Sequence, residues 1–287
     1  LCVFISAFEY LRSNSLLIVS LLLILSIGIS HGSLDHIKGK KLLKIFEIKK
    51  IYIFYLIYIF IASTVIVLWM IIPSVLLTIF LIVASFHFGK EDTQFLIAEN
   101  SYYNQLLFFL KGLLVILSPM FFHFEETISI FKLLLIDNES FYRTLDFIEM
   151  NNLILFGIIL STLSSILLFT KEFELKKFTI FLDYFSILII NYYLSPLMAF
   201  TIYFCFLHST RHGITLMHEL DDNDLKNGLK IFIKKALPLT ILTATFCLLG
   251  LYLLNNSYNF DSSILKVIFI GLASLTFPHI LLEYLIE

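Results

Sequence analysis

The sequence predicts an all-α fold: a polytopic bundle of about eight to nine transmembrane helices, in one integral membrane domain over residues 1–287. Two observations carry this. The chain is 59% hydrophobic and 15% charged, against roughly a quarter charged in soluble domains, and its mean hydropathy is +0.92. Its apolar residues also gather into repeated runs near the length, about 20 residues, at which a helix crosses the bilayer core.

Charge, proline and asparagine punctuate these runs into spans 14–31, 51–71, 73–88, 104–122, 152–170, 178–194, 196–213, 236–254 and 264–283. The first ends where lysines begin at Lys38. The second opens after Lys49 and Lys50, and Pro73 separates it from the third, which ends at Lys90 and Glu91. The fourth stops before Glu125 and Glu126. The fifth lies between Asn152 and Lys171, the sixth between Lys177 and Pro196, and the seventh starts at that proline. Lys234 and Lys235 precede the eighth, Asn255 ends it, and the last span runs nearly to the C-terminus. Residues 1–12 read as an interfacial piece or the remnant of another helix, with no small-residue cleavage site of a signal sequence behind them.

Net charge is −2 and no basic patch is interleaved with aromatics, so nothing points to nucleic acid. Cys2, Cys205 and Cys247 sit apart inside apolar runs, without CxxC spacing, and read as small packing residues rather than thiolate metal ligands.

Lysine and arginine are biased toward alternate connections, which sets orientation. Loops 32–50, 89–103, 171–177 and 214–235 hold most of the lysines, while segment 123–150 is acidic and 255–263 has no basic residue. The basic loops are therefore expected on the cytoplasmic side of the inner (plasma) membrane, with the C-terminus. On that map His31, His36, His87, His208, His212, His218 and His279 fall at one depth, near the cytoplasmic face, and only His123 falls on the other. The histidines took no part in the charge assignment, so their agreement independently points to a shared site. A lone histidine at a helix end is usually an interfacial anchor. A cluster is different, because neutral imidazole is the commonest metal ligand and polar groups within membrane helices are functional candidates.

Spacing selects among them. His208 and His212 are four residues apart and share one face of a helix. His31 and Asp35 have the same spacing, whereas His36 lies about 140° around a straight helix from His31, so one ion takes both only if Gly32 breaks the helix. Two readings of Asp35 stand: it orients a ligand imidazole, or it pairs with Lys38. Asp92, five residues after His87, has the same two. His31, His87, His208 and His212 form an all-nitrogen set that suits iron, copper, zinc or nickel.

The motifs "HGSLDH", "FHFGKED", "HSTRH" and "PHILLE", in this order and at these separations, resemble the Brp/Blh family of membrane β-carotene 15,15′-dioxygenases. The resemblance runs from about residue 27 to the C-terminus. It implies central cleavage of β-carotene by O2 into two molecules of all-trans-retinal, with Fe(II) held by His31, His87, His208 and His212, and retinal made available to a microbial rhodopsin. The substrate is a hydrocarbon that partitions into the lipid bilayer, so an embedded enzyme can take it from there. Phe86, Phe88, Tyr203, Phe204 and Phe206 flank the histidines and line a channel or pack between helices. Asp35 is expected to orient a ligand, and His36 and His279 have the depth for supporting roles; Glu283 either orients His279 or ends a solvated helix. Lys111 and Asp183, unusual within lipid, are expected to snorkel or pair.

Two rivals remain. A membrane fatty-acid desaturase or hydroxylase uses several histidine boxes, yet no HH pair occurs here. A metal transporter would favour ligands near the bilayer mid-plane, and a haem-binding membrane protein would need only two facing histidines.

Overall fold

In a computed structural model of the chain, residues 13–97, 101–171 and 174–286 are described, and the side chains of residues 13, 14 and 31 lie outside that description. Every regular element among the described residues is helical: α1 Ser13–Leu23, α2 Asp35–Ile45, α3 Tyr52–Ile71, α4 Pro73–Glu91, α5 Tyr102–Phe122, α6 Phe124–Leu133, α7 Glu139–Met150, α8 Leu153–Thr170, α9 Phe178–Tyr193, α10 Pro196–Ile202, α11 Thr210–Leu220, α12 Leu225–Leu254 and α13 Phe260–Ile286. The protein is a helical membrane protein. Among the described residues seven helical stretches are long and apolar enough to cross a membrane: Ser15–Ile45, Tyr52–Ile71, Pro73–Leu96, Tyr102–Phe122, Leu153–Thr170, Leu225–Leu254 and Phe260–Ile286.

The two remaining expected spans do not join these seven. Helix α9 has 16 residues, about 24 Å at 1.5 Å per residue, against a core of about 30 Å. Helix α10 continues without a break through a π-helix, Tyr203–Ser209, into α11, and this stretch carries His208, Arg211, His212 and His218. The acidic stretch 123–150, expected as a connection, folds as α6 and α7. The Asn138 side chain accepts from the Phe141 amide at 3.1 Å and so starts α7.

Contacts divide the chain into two compact units, Leu1–Leu16 with Leu77–His208, and Leu17–Leu76 with Ser209–Glu287. In the first unit α5 and α8 pack along much of their length. Small hydroxyl residues line that contact: Ser161 donates to the Lys111 carbonyl and Ser164 to the Leu107 carbonyl, each at 3.2 Å. Small side chains let membrane helices approach closely and bond across the gap. The approach of α4 to α5 is closer still. A Cβ placed on Gly89 would lie 1.8 Å from the Phe108 carbonyl oxygen, and one on Gly112 would lie 1.8 Å from that of Ser85. Only glycine permits backbone contact of this kind, and it fixes the end of α4 that carries His87. Leu96, Ile97, Leu107, Phe108, Leu168 and Ile180 form an apolar core beside it.

In the second unit α3 packs on α13 and α11 on α12. Leu43, Phe54 and Leu282 form one buried cluster, and Leu34, Leu216, Phe232 and Ala236 another. The Ser33 and Thr240 hydroxyls share a hydrogen bond of 2.7 Å. This ties the turn after the first helix to α12.

Two departures from α geometry fall on the histidine motifs. Ile24–Gly28 is a π-helix, with the Ile29 amide bonded five residues back to Ile24 at 2.9 Å, and His31–Leu34 is a 3₁₀ turn. Gly32 lies in that 3₁₀ turn, so the chain there is not a straight α-helix. Tyr203–Ser209 is the second π-helix, where the His208–His212 spacing predicted unbroken α-helix. Such wide turns concentrate at functional positions. The Ser209 hydroxyl leaves the second π-helix to bond the Gly28 carbonyl at 3.1 Å.

Candidate metal centre

In the first unit His87 and His208 meet, with ring centroids 5.2 Å apart and ring planes at 69°. Two imidazoles on one ion, with metal–nitrogen bonds of about 2.0–2.1 Å, bring their centroids to roughly this separation. Both rings are buried, His208 to 1% exposure. His208 Nδ1 lies 3.1 Å from Asp92 Oδ1, and the Tyr203 hydroxyl donates to Asp92 Oδ2 at 2.7 Å. Phe88 meets the His208 ring edge-on at 4.9 Å and Phe204 stacks on it at 5.9 Å, so aromatic faces hold the imidazole from two sides.

Asp92 sits immediately after α4, at a helix C-terminus, where the macrodipole disfavours a carboxylate. It is also 3% exposed. Its two oxygens are held there by the Tyr203 hydroxyl and the His208 ring. An Nδ1–H donated to Asp92 fixes the tautomer and leaves Nε2 as the basic nitrogen of the ring.

The second unit repeats this chemistry. Asp35 opens α2, where the dipole favours it. Its oxygens lie 2.9 and 3.0 Å from His279 Nδ1, and the Tyr58 hydroxyl of α3 donates to Oδ2 at 2.9 Å. That hydroxyl is also 3.2 Å from the Leu275 carbonyl oxygen on α13. Pro278, just before His279, supplies no amide to the helix ladder. The His212 ring meets His279 edge-on, with centroids 6.0 Å apart. One ligand atom each from His212, His279 and Glu283 lie within 4.8 Å of one another. Glu283 also forms an ion pair with Lys38.

Asp35 thus holds the His279 imidazole, and Lys38 meets Glu283. The His31 side chain lies outside the described residues. His36 donates through Nδ1 to the Ser33 carbonyl at 3.0 Å, within its own turn. His123 donates to the Asn191 carbonyl at 2.8 Å, and His218 is exposed. Of the flanking aromatics, Phe88, Tyr203 and Phe204 are buried at His208, whereas Phe206 is 45% exposed. Lys111 and Asp183 are buried. Lys111 lines a small cavity with Phe88, Asp92, Tyr184 and Tyr203. Cys205 and Cys247 are free thiols.

Sequence reasoning missed Tyr58, one of 14 tyrosines in the chain, because nothing local separates it from an interfacial ring. It gave His279 only a supporting role, because Glu283 was the one carboxylate near it in sequence.

Fold and site together define a polytopic helical membrane protein in which buried histidines are paired and anchored by carboxylates. A profile of the beta-carotene 15,15′-dioxygenase family matches residues 22–287, and the chain belongs to that family. It is accordingly an enzyme of carotene cleavage. A beta-carotene 15,15′-dioxygenase from an uncultured marine bacterium, 66A03, is 28% identical over 268 residues, covering 92% of this chain and 91% of that one. No solved structure matches the chain.

Proposed function

We propose that the enzyme splits the central 15,15′ double bond of β-carotene with O2 into two molecules of all-trans-retinal, using Fe(II) held by His31, His87, His208 and His212. The observation that carries this reading is the buried His87–His208 pair, whose second ring is anchored through Nδ1 by Asp92. Such an arrangement suits a divalent metal with imidazole ligands and open positions. Bound ferrous iron supplies the one-electron chemistry by which ground-state O2 reacts with a hydrocarbon double bond. The reaction balances without an outside reductant: the carbon–carbon double bond breaks, and each carbon takes one oxygen atom as an aldehyde.

The chain's own residues place and protect the reacting groups. Asp92 and Tyr203 hold His208 in one tautomer and one orientation. Phe88 and Phe204 exclude water around it and offer apolar faces to a polyene. Asp35 is a positioning residue through the imidazole it holds. His36, bonded to Ser33, closes the turn that begins at His31. We place the site toward the cytoplasmic face of the inner membrane on the strength of the lysine-rich loops, with β-carotene drawn from the bilayer and retinal available to a rhodopsin.

Expression in β-carotene-producing bacteria tests the reading. The expected result is loss of colour and accumulation of retinal. Unchanged carotene in membranes that contain the folded, iron-loaded protein would contradict it.

A further inference from the structure

The two units hold the same three-residue device on different helices. In one, Tyr203 donates to Asp92 and Asp92 holds His208 Nδ1. In the other, Tyr58 donates to Asp35 and Asp35 holds His279 Nδ1. Each anchored ring has a second imidazole edge-on beside it, His87 at 5.2 Å in the first and His212 at 6.0 Å in the second. In each unit, too, the carboxylate closely follows another histidine in the chain: Asp92 after His87, Asp35 after His31.

From this parallel we infer that His279 is an iron ligand, coordinating through Nε2 beside His212, with Asp35 and Tyr58 as its positioning residues. The inference rests on the iron reading above. Chemistry supports it at three points. An ionised carboxylate accepting from Nδ1–H leaves Nε2 as the basic nitrogen of the ring, the atom a metal binds, and raises its basicity. A carboxylate 5% exposed and a histidine 4% exposed are expensive to bury, and fixing a ligand explains why both are retained inside the protein. Ligand atoms of His212 and His279 also already lie within 4.8 Å of each other, close enough for one ion. Glu283 falls within the same distance, but its ion pair with Lys38 engages the carboxylate. The assignment is therefore to the two imidazoles.

The test uses the full-length protein, purified in detergent and loaded anaerobically with Fe(II). It compares wild type, His279→Ala, Asp35→Asn and the surface control His218→Ala. Two quantities are read: iron retained per chain after gel filtration, and the electron paramagnetic resonance spectrum of the ferrous nitrosyl adduct formed with added nitric oxide. The expected result for His279→Ala is at least a tenfold loss of retained iron or, where iron stays, a changed nitrosyl spectrum. Asp35→Asn, which keeps the side-chain shape, is expected to weaken iron retention by about 10–100-fold, and this variant decides the matter if His279→Ala does not fold. His218→Ala is expected to match wild type. A purely structural role for His279 would leave the nitrosyl spectrum unmoved in every folded variant. That result, with wild-type iron content, overturns the inference alone. Wild-type protein that takes up no iron overturns the iron reading along with it.

Discussion

Asp92 shows how much a single buried carboxylate decides here. It stands at the wrong end of a helix for its charge, 3% exposed, with one oxygen on His208 and the other on Tyr203. Asp92→Asn keeps the shape but offers an amide to Nδ1, which removes the preference for the metal-binding tautomer. We expect retinal formation and iron retention to fall by about 10–100-fold, as for other carboxylates behind metal-bound histidines. Tyr203→Phe removes one hydrogen bond to that carboxylate and should destabilise the fold by about 1–3 kcal/mol, read as a lowered unfolding midpoint in detergent, with a smaller loss of activity than Asp92→Asn. Among the histidines, His208→Ala and His212→Ala should each abolish iron binding and cleavage. His123→Ala and His218→Ala, whose rings bond a carbonyl or face outward, should leave both intact. Equal activity in all four variants would remove the metal assignment.

The helices that carry these residues were legible to different degrees. Long apolar runs such as Tyr52–Ile71 and Leu153–Thr170 stood out because a bilayer demands length and hydropathy together. Helix α7, rich in acidic residues, has neither property and declares itself only through its Asn138 cap. Loop charge led to an expected common depth for the histidines, but partner choice was not readable. Asp35 and His279 are 244 positions apart, and no spacing rule reaches that far, whereas the local alternative, His31, was four residues away. Likewise the π-helix over Tyr203–Ser209 leaves no mark in hydropathy, although it sets where His208 sits in its turn. The contact of α4 with α5 tests the element scale directly. Gly112→Ala would push a methyl group to 1.8 Å from the Ser85 carbonyl oxygen, so the helices must separate. A loss of about 1–3 kcal/mol is expected, together with reduced iron retention, because α4 carries His87. Unfolding and metal content unchanged from wild type would show that the contact is looser than described.

Across the whole molecule, family membership and the two anchored imidazoles point the same way. A chain matched over residues 22–287 by a carotene-dioxygenase profile includes among its buried polar groups two histidine–carboxylate–tyrosine sets and hydroxyls that bond across helices. Burying charged and hydrogen-bonding groups in an apolar bundle is costly unless each is satisfied, and at each anchored histidine the buried carboxylate is satisfied by an imidazole and a tyrosine hydroxyl. Iron dependence of cleavage at the central bond is the decisive property of the proposed reaction. The most direct measurement is product analysis of β-carotene incubated aerobically with the purified protein, first as loaded with Fe(II), then after chelation, then after Fe(II) is restored. The expected result is two molecules of retinal for each carotene consumed, lost on chelation and recovered with Fe(II). Undiminished retinal from metal-free protein, or unequal apocarotenal fragments in place of retinal, would contradict it.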